Sequence, residues 1–313
     1  MILFSYFVMC MIFSTTFLVI KVGIDAGAPP FFSAGIRFFL AGLILFLWMV
    51  WKRKARVSLL LRREMFFTGM GLTFGVFSAL YWAEQYMPSG IAAVLSATAP
   101  LMVLLLQNSI SRQKISVTSM AGCIIGFAGV LLLLLPSIRV KFDLYWILGS
   151  IAILAGQLCY SVGAVYSKRV IQRFEDTSPI ALNAAQMMYG GVMLMVLSLC
   201  TEQVDMQFML SLHAALSLLY LIFAGSMLGH SIFYWLVAKT NPVLPSTWLY
   251  ISPLMALGLG ALLYDEQLSF SSLAGGITII IGIALVNYDT LSQLVAKKPN
   301  VLRHTSNQQY TGK

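Results

Sequence analysis

The sequence predicts an all-α membrane protein in which ten transmembrane helices form two inverted five-helix repeats. First, the chain of 313 residues is 59% hydrophobic and only 10% charged, whereas soluble domains carry about 25% charged residues. Second, its apolar stretches have the length of a bilayer crossing, which takes about 20 helical residues. Third, the second half of the chain repeats the first. Because each half holds an odd number of crossings, the two halves enter the membrane in opposite orientations.

Apolar runs bounded by polar, proline or glycine residues predict where the ten crossings lie. Long runs such as 129–135 are apolar on every face, which excludes the short alternating strands of a membrane barrel. The predicted crossings cover residues 4–22, 32–51, 66–86, 90–110, 117–135, 144–167, 180–199, 213–237, 243–263 and 272–289.

The basic residues predict the orientation of the chain. With ten crossings, 16 of the 20 Lys and Arg residues lie on the side that holds both termini, and four lie near the other side. Cytoplasmic loops of membrane proteins are enriched in Lys and Arg, so we expect both termini in the cytoplasm. The net charge of +9 then reflects topology, and no nucleic-acid partner is expected.

The internal repeat is visible in short matched segments at a constant offset of 153 residues. The matched segments are Tyr81-Trp82 with Tyr234-Trp235 and Pro100-Leu101-Met102 with Pro253-Leu254-Met255. Near the start of each half, an offset of 147 carries Lys21 onto Lys168, and a small insertion then carries Gly42 onto Gly191. Scattered apolar similarity would not place these segments in register.

The repeat predicts the domain organisation. We expect the first five-helix repeat at residues 1–139, the second at 140–289 and a basic, disordered cytoplasmic tail at 290–313. Inverted repeats are typical of secondary transporters, which bind a small-molecule substrate near the midplane of the bilayer between the two repeats.

Several segments in both halves resemble a known family when they are taken in order. They are Ser14-Thr15-Thr16-Phe17, Lys21, Pro29-Pro30, Arg37-Phe38, Ala41-Gly42, Trp82-Ala83-Glu84, Pro88-Ser89-Gly90, Pro100-Leu101, Pro253, Glu266, Gly275 and Gly282. This order is similar to that of the EamA family of the drug/metabolite transporter superfamily. The resemblance implies export of small metabolites such as amino acids or drugs across a bacterial plasma membrane, driven by a gradient of protons or other ions. It also implies that the first helix of each half borders the pathway.

Glu84 is the only carboxylate well inside a predicted crossing. An acid at this depth marks a functional site by default, and it would bind a substrate ammonium group or take up a proton. The alternative is that Glu84 lies one turn from the outer end and reaches the headgroup region, which the neighbouring Gln85 and Pro88 favour.

His230 is the only histidine deep in a predicted crossing. Because histidine titrates near neutral pH, His230 would suit a proton relay; the alternative is a hydrogen-bonded structural role. Arg37 could pair with a substrate carboxylate, but the favoured interpretation is an interface anchor whose side chain extends outward. Lys21 has the same interpretation.

Polar side chains within crossings should face the interior of the bundle, where some line a pathway and others bridge helices. The predicted pathway residues are Thr15, Tyr81, Glu84, Ser96, Gln157, Tyr160, His230, Tyr234 and Tyr250. Pro100 and Pro253 are equivalent and are predicted to kink their helices. Such kinks would suit paired gates or would simply fix the packing shape.

The sequence holds no P-loop, HExxH or GxGxxG motif, so we expect no catalytic residue, no metal and no cofactor. A membrane-embedded enzyme acting on lipid or prenyl groups is the second hypothesis, and it would need clustered Asp, His or Cys near an interface. A scaffold or receptor is the third hypothesis. The internal symmetry argues against it, because such symmetry serves alternating access directly and signalling only indirectly. The expected partners are a small-molecule substrate, the lipid bilayer and coupled protons or ions, and the expected state is a monomer or homodimer.

Overall fold

The computed structural model describes residues 1–111, 116–134, 144–204, 211–255, 270–290 and 292. Within these ranges the regular elements are helices. The α-helices are α1 (Ile2–Asp25), α2 (Pro30–Trp51), α3 (Arg63–Gly69), α4 (Val76–Ala83), α5 (Ser89–Ser96), α6 (Ala99–Ser111), α7 (Val117–Leu134), α8 (Leu144–Arg173), α9 (Pro179–Thr201), α10 (Leu212–Tyr220), α11 (His230–Lys239), α12 (Val243–Ser246), α13 (248–255) and α14 (Phe270–Val286).

The helices confirm the predicted all-α membrane fold. In the described part of the chain, seven helices are long and apolar enough to cross a bilayer, and the apolar stretches Val117–Leu133 and Leu273–Val286 are shorter. The ninth predicted crossing begins with α12 and α13, and its remainder lies outside the described residues. So do Glu266 and the predicted boundary between residues 139 and 140.

The third and eighth crossings each contain a π-helical stretch. Met70–Gly75 joins α3 to α4, and Leu221–Gly229 joins α10 to α11. The repeat offset of 153 carries the first stretch onto residues 223–228, which lie inside the second. Because π-helical turns are uncommon and occur frequently at functional sites, their equivalent positions identify these two crossings as places to look for function.

The tight helix pairs also follow the internal symmetry. Helix α7 packs along α14, and a Cβ added at Gly122 would lie 2.8 Å from the carbonyl oxygen of Gly282. A Cβ added at Gly275 would lie 2.8 Å from the carbonyl oxygen of Gly129. Since Gly122 corresponds to Gly275 and Gly129 to Gly282, the two close approaches are equivalent. Small residues that allow such approaches are typical of membrane helix interfaces.

Pro100 does not lie in the middle of a continuous helix, as the sequence suggested. The fourth crossing is interrupted at Ala97 and Thr98, and Pro100 lies in the first turn of α6. Proline is favoured there because its missing N–H would have no intrahelical partner. Pro253 lies within α13, after a turn at Thr247, so the two interruptions are not at equivalent positions.

Candidate functional site

A cavity of about 40 Å³ lies at the junction of the two repeats. Its walls come from the first, second, third, fourth, sixth, eighth and ninth crossings. They are formed by Phe13, Thr16, Phe17, Arg37, Leu72, Val76, Phe77, Leu80, Ser96, Gln157, Tyr160, His230, Phe233, Trp248 and Leu249. This central cavity is therefore bordered mainly by aromatic and aliphatic side chains, with a few polar groups placed among them.

Four of the predicted pathway residues meet at the central cavity: Ser96, Gln157, Tyr160 and His230. The Gln157 side-chain amide donates a hydrogen bond of 3.0 Å to the Ser96 hydroxyl, which ties α8 to α5. Because this bond joins the first helix of the second repeat to the fourth crossing of the first, the polar wall of the cavity belongs to both repeats.

Arg37 is buried in the centre of the bundle, so the prediction of an outward-facing interface anchor is wrong. Its side chain is 1% exposed. Nε donates to the Ser226 hydroxyl at 2.8 Å, and Nη1 donates to the Tyr81 hydroxyl at 3.0 Å. The guanidinium carbon lies 4.6 Å from the ring centroid of Phe38 and 5.2 Å from that of Phe77. These hydrogen bonds and cation–π contacts hold the charge inside the bundle.

His230 lies among aromatic rings at the wall of the cavity. The imidazole centroid is 5.1 Å from that of Phe13, 5.5 Å from that of Phe38 and 5.8 Å from that of Phe77. The Phe13 and Phe38 contacts are edge-to-face. Two of these rings, those of Phe38 and Phe77, also contact the Arg37 guanidinium, so His230 and Arg37 share one aromatic wall.

The Glu84 carboxyl group is fully buried just after the end of α4. In the described part of the chain neither of its oxygens accepts a hydrogen bond. Lys21, Asp25 and Arg37 are the charged groups near enough to interact with it electrostatically. In this conformation the side chain therefore does not reach the surface of the protein, and its charge has no direct partner among these residues.

Contacts between helix ends lie beyond the cavity in both directions. On the side away from the termini, the Lys21 ammonium donates to the backbone carbonyl of Glu84 at 2.9 Å and pairs with Asp25 at 2.9 Å. On the side of the termini, the Tyr6 and Thr247 hydroxyls share a hydrogen bond of 2.7 Å. Lys168 also bonds to the end of α11 on that side. The cavity is consequently covered at both ends.

The remaining predicted pathway residues lie away from the cavity wall. Thr15 is hydrogen-bonded to the Tyr220 hydroxyl at 2.6 Å, toward α10. Tyr234 is buried one turn after His230. The Tyr250 hydroxyl donates to the Cys123 carbonyl at 3.1 Å, which ties α13 to α7. Tyr81 contacts two cavity-lining residues, accepting a hydrogen bond from Arg37 and making an edge-to-face ring contact with Phe77.

Three cavity-lining residues with polar side-chain groups were absent from the predicted set: Thr16, Arg37 and Trp248. Thr16 takes the place expected of Thr15, because adjacent helical residues point about 100° apart. The alignment of the two repeats could have identified Arg37. The offset that carries Gly42 onto Gly191 also carries Arg37 onto Gln186, so the second half has an uncharged glutamine at the equivalent position.

A larger cleft of about 960 Å³ opens between α4, α8 and the ends of α1 and α9. Much of its wall is formed by small residues such as Gly75 and Gly156. The Glu202 carboxylate at its edge accepts hydrogen bonds from the backbone amides of Phe31 and Phe32 at 2.8 and 2.9 Å. That carboxylate thus already caps the start of α2, and the central cavity is the better candidate site.

Comparisons with known proteins agree with this architecture. The model of the EamA-like transporter family matches residues 1–135 and 147–288. The uncharacterized inner membrane transporter YedA of Escherichia coli K12 is 30% identical over 298 residues, which cover 90% of this chain and 89% of that protein. A Salmonella typhimurium protein named "probable amino-acid metabolite efflux pump" is 26% identical, covering 87% of this chain and 90% of that protein. A solved crystal structure with 18% identity superposes with a TM-score of 0.73, covering 94% of this chain and 98% of that one; this likeness concerns the fold.

Proposed function

We propose that this chain, which belongs to the EamA-like transporter family, is a secondary active transporter and exports small metabolites such as amino acids. Transport would proceed by alternating access, in which the two inverted repeats expose the central cavity first to one side of the membrane and then to the other. The observation that carries this proposal is the narrow cavity at the junction of the repeats.

The size of the cavity supports a cycle of opening and closing. One water molecule needs roughly 10–15 Å³ of such a cavity, so its volume of about 40 Å³ accommodates only a few water molecules. No amino acid fits into that volume, so a substrate would enter only after helices move apart at one end. The contacts of Lys21 and Lys168 with helix ends are the ones that such movement would break.

The distribution of charge supports the location and orientation of the chain, and the names of the relatives support export. We infer that both termini lie in the cytoplasm of a bacterium, because 16 of the 20 basic residues lie on the side of the termini and cytoplasmic loops are enriched in Lys and Arg. Relatives over most of the chain are named as an inner membrane transporter and an efflux pump. A gradient of protons or other ions would drive transport, with Glu84 as the group that takes up the proton or the substrate ammonium. No described contact favours the membrane-enzyme hypothesis, since His230 is surrounded by aromatic rings.

The proposal is tested by flux in proteoliposomes. Purified full-length protein is reconstituted with a pH gradient, and uptake of radiolabelled amino acids is followed in inside-out oriented vesicles. We expect saturable uptake of at least one amino acid that collapses when an ionophore removes the gradient. Protein-free liposomes give the background, and the absence of gradient-dependent flux across the whole panel would overturn the proposal.

A further inference from the structure

The two repeats differ in charge at one buried position of their second helices. The offset of 149 that carries Gly42 onto Gly191 also carries Arg37 of α2 onto Gln186 of α9. Both side chains are buried, with exposed fractions of 1% and 0%. The first repeat therefore places a cation where the second places a neutral amide.

The two side chains make equivalent hydrogen bonds. Arg37 Nε donates to the Ser226 hydroxyl at 2.8 Å, and the Thr73 hydroxyl donates to Gln186 Oε1 at 2.8 Å. Thr73 corresponds to Ser226 at the offset of 153, and both lie in the π-helical stretches. A neutral side chain is thus sufficient to join these crossings, and packing alone does not require the charge of Arg37.

The charge is also costly where it lies. A buried cation is strongly disfavoured unless an opposite charge compensates it. The hydrogen-bond partners of Arg37 are the neutral hydroxyls of Ser226 and Tyr81. Among the described residues no carboxylate lies within 4.0 Å of the guanidinium. Glu84 interacts with it electrostatically without forming an ion pair.

Arg37 borders the cavity and retains an unused donor. Its hydrogen bonds within the described residues use Nε and Nη1. Nη2 makes none of these bonds and lies beside Gly225, where an added Cβ would be 3.0 Å away. A guanidinium matches the planar geometry of a carboxylate. The rest of the wall includes the rings of Phe13, Phe17, Phe77 and Trp248, which suit an apolar or aromatic body.

We propose that Arg37 binds the carboxylate of the transported metabolite, so that the substrates are carboxylates with an apolar or aromatic body. This inference rests on the proposed transport function. Arg37 acts as the specificity-determining residue, and Gln186 is its neutral counterpart with a purely structural role.

The test compares acids with their amides. Leucine, phenylalanine and their amides are supplied to proteoliposomes of the wild-type protein and of the variants R37Q and R56Q. R37Q installs the residue that the second repeat already uses at this position. R56Q removes one positive charge from Arg56, an exposed residue between the second and third crossings, and serves as the matched control. Folding is checked by monodisperse elution in detergent.

We expect the wild-type protein and R56Q to favour acids over amides by roughly 10- to 100-fold, the value of a charge-assisted hydrogen bond. R37Q should lose this preference and transport acids at the rate of amides. If the wild-type protein transports acids and amides equally, this inference is overturned while the transport function stands, whatever the folding of R37Q. If it transports no compound under any gradient, the proposed function is overturned as well.

Discussion

Lys21 and Lys168 make the same contact at opposite ends of the bundle. Lys21 donates to the carbonyl of Glu84 at 2.9 Å, and Lys168 donates to the carbonyl of Val237 at 2.9 Å. Lys168 is the counterpart of Lys21, and Val237 is the counterpart of Glu84 at the offset of 153. In each repeat, a lysine near the end of the first helix thus caps the last carbonyls of the third crossing, where a cation is favourable.

The first prediction is that each lysine holds one end of the cavity closed. K21M should speed maleimide labelling of a cysteine at Ser33, which lies near the end away from the termini. K168M should speed labelling at Ser246, near the other end. Loss of about 1 kcal/mol from a cation at a helix C-terminus corresponds to a roughly fivefold change in an equilibrium. The effect of K168M should be larger, because Lys168 also donates to Ala238 and Thr240 at 3.1 and 2.9 Å.

The labelling experiment has a matched control in Lys239, an exposed lysine at the end of α11. All labelling is done in a variant in which the two exposed cysteines, Cys159 and Cys200, have been replaced. K239M should leave both labelling rates unchanged. Equal labelling in K21M, K168M and K239M would show that the two contacts do not hold the ends closed.

The sequence predicted the fold well because membrane thickness fixes the length of each crossing and because the repeat aligns without ambiguity. It could not show which face of each helix lies inside, since runs such as 129–135 are apolar all round. For this reason Thr15 was expected at the cavity, where Thr16 lies. The depth of Arg37 likewise depends on partners from distant crossings, Ser226 and Tyr81, which the local sequence of α2 does not indicate.

The second prediction concerns Glu84, whose buried carboxyl group has no hydrogen-bond partner among the described residues. E84Q preserves its shape but removes its charge and its proton. We expect gradient-driven flux to fall at least tenfold and its dependence on pH to disappear, while the amount of protein in the membrane stays normal. Flux measured from pH 5 to 8 checks this. E84Q leaves unchanged the charged groups near this position, which are Lys21, Asp25 and Arg37.

The control for E84Q is E202Q, since Glu202 is a carboxylate already bonded to the amides of Phe31 and Phe32. E202Q should retain pH-dependent flux. A wild-type pH profile in E84Q would assign the proton coupling to another group, and His230 would be the next residue to test.

The third prediction uses the small volume of the central cavity. Val76 lines it and is 6% exposed, so V76F would fill the space that the substrate needs to enter. Added methylenes in a packed interior cost about 1–3 kcal/mol, and we expect flux to fall below a tenth of the wild-type rate. V196F makes the same change at a position in α9 that is 55% exposed and faces outward. Retained flux in V196F with loss in V76F would support this site, whereas equal flux in both variants would contradict it.

The last prediction separates close packing from backbone freedom at two glycines. A Cβ added at Gly122 would lie 2.8 Å from the Gly282 carbonyl oxygen, and a Cβ added at Gly90 would have nothing within 4 Å. G122A should therefore force α7 away from α14 and destabilise the protein by about 1–3 kcal/mol. G90A should be neutral or stabilise it by up to about 1 kcal/mol, because alanine restricts the unfolded chain. Thermal unfolding in detergent measures both, and an equal midpoint in the two variants would mean that the α7–α14 contact is not tight enough to exclude a methyl group.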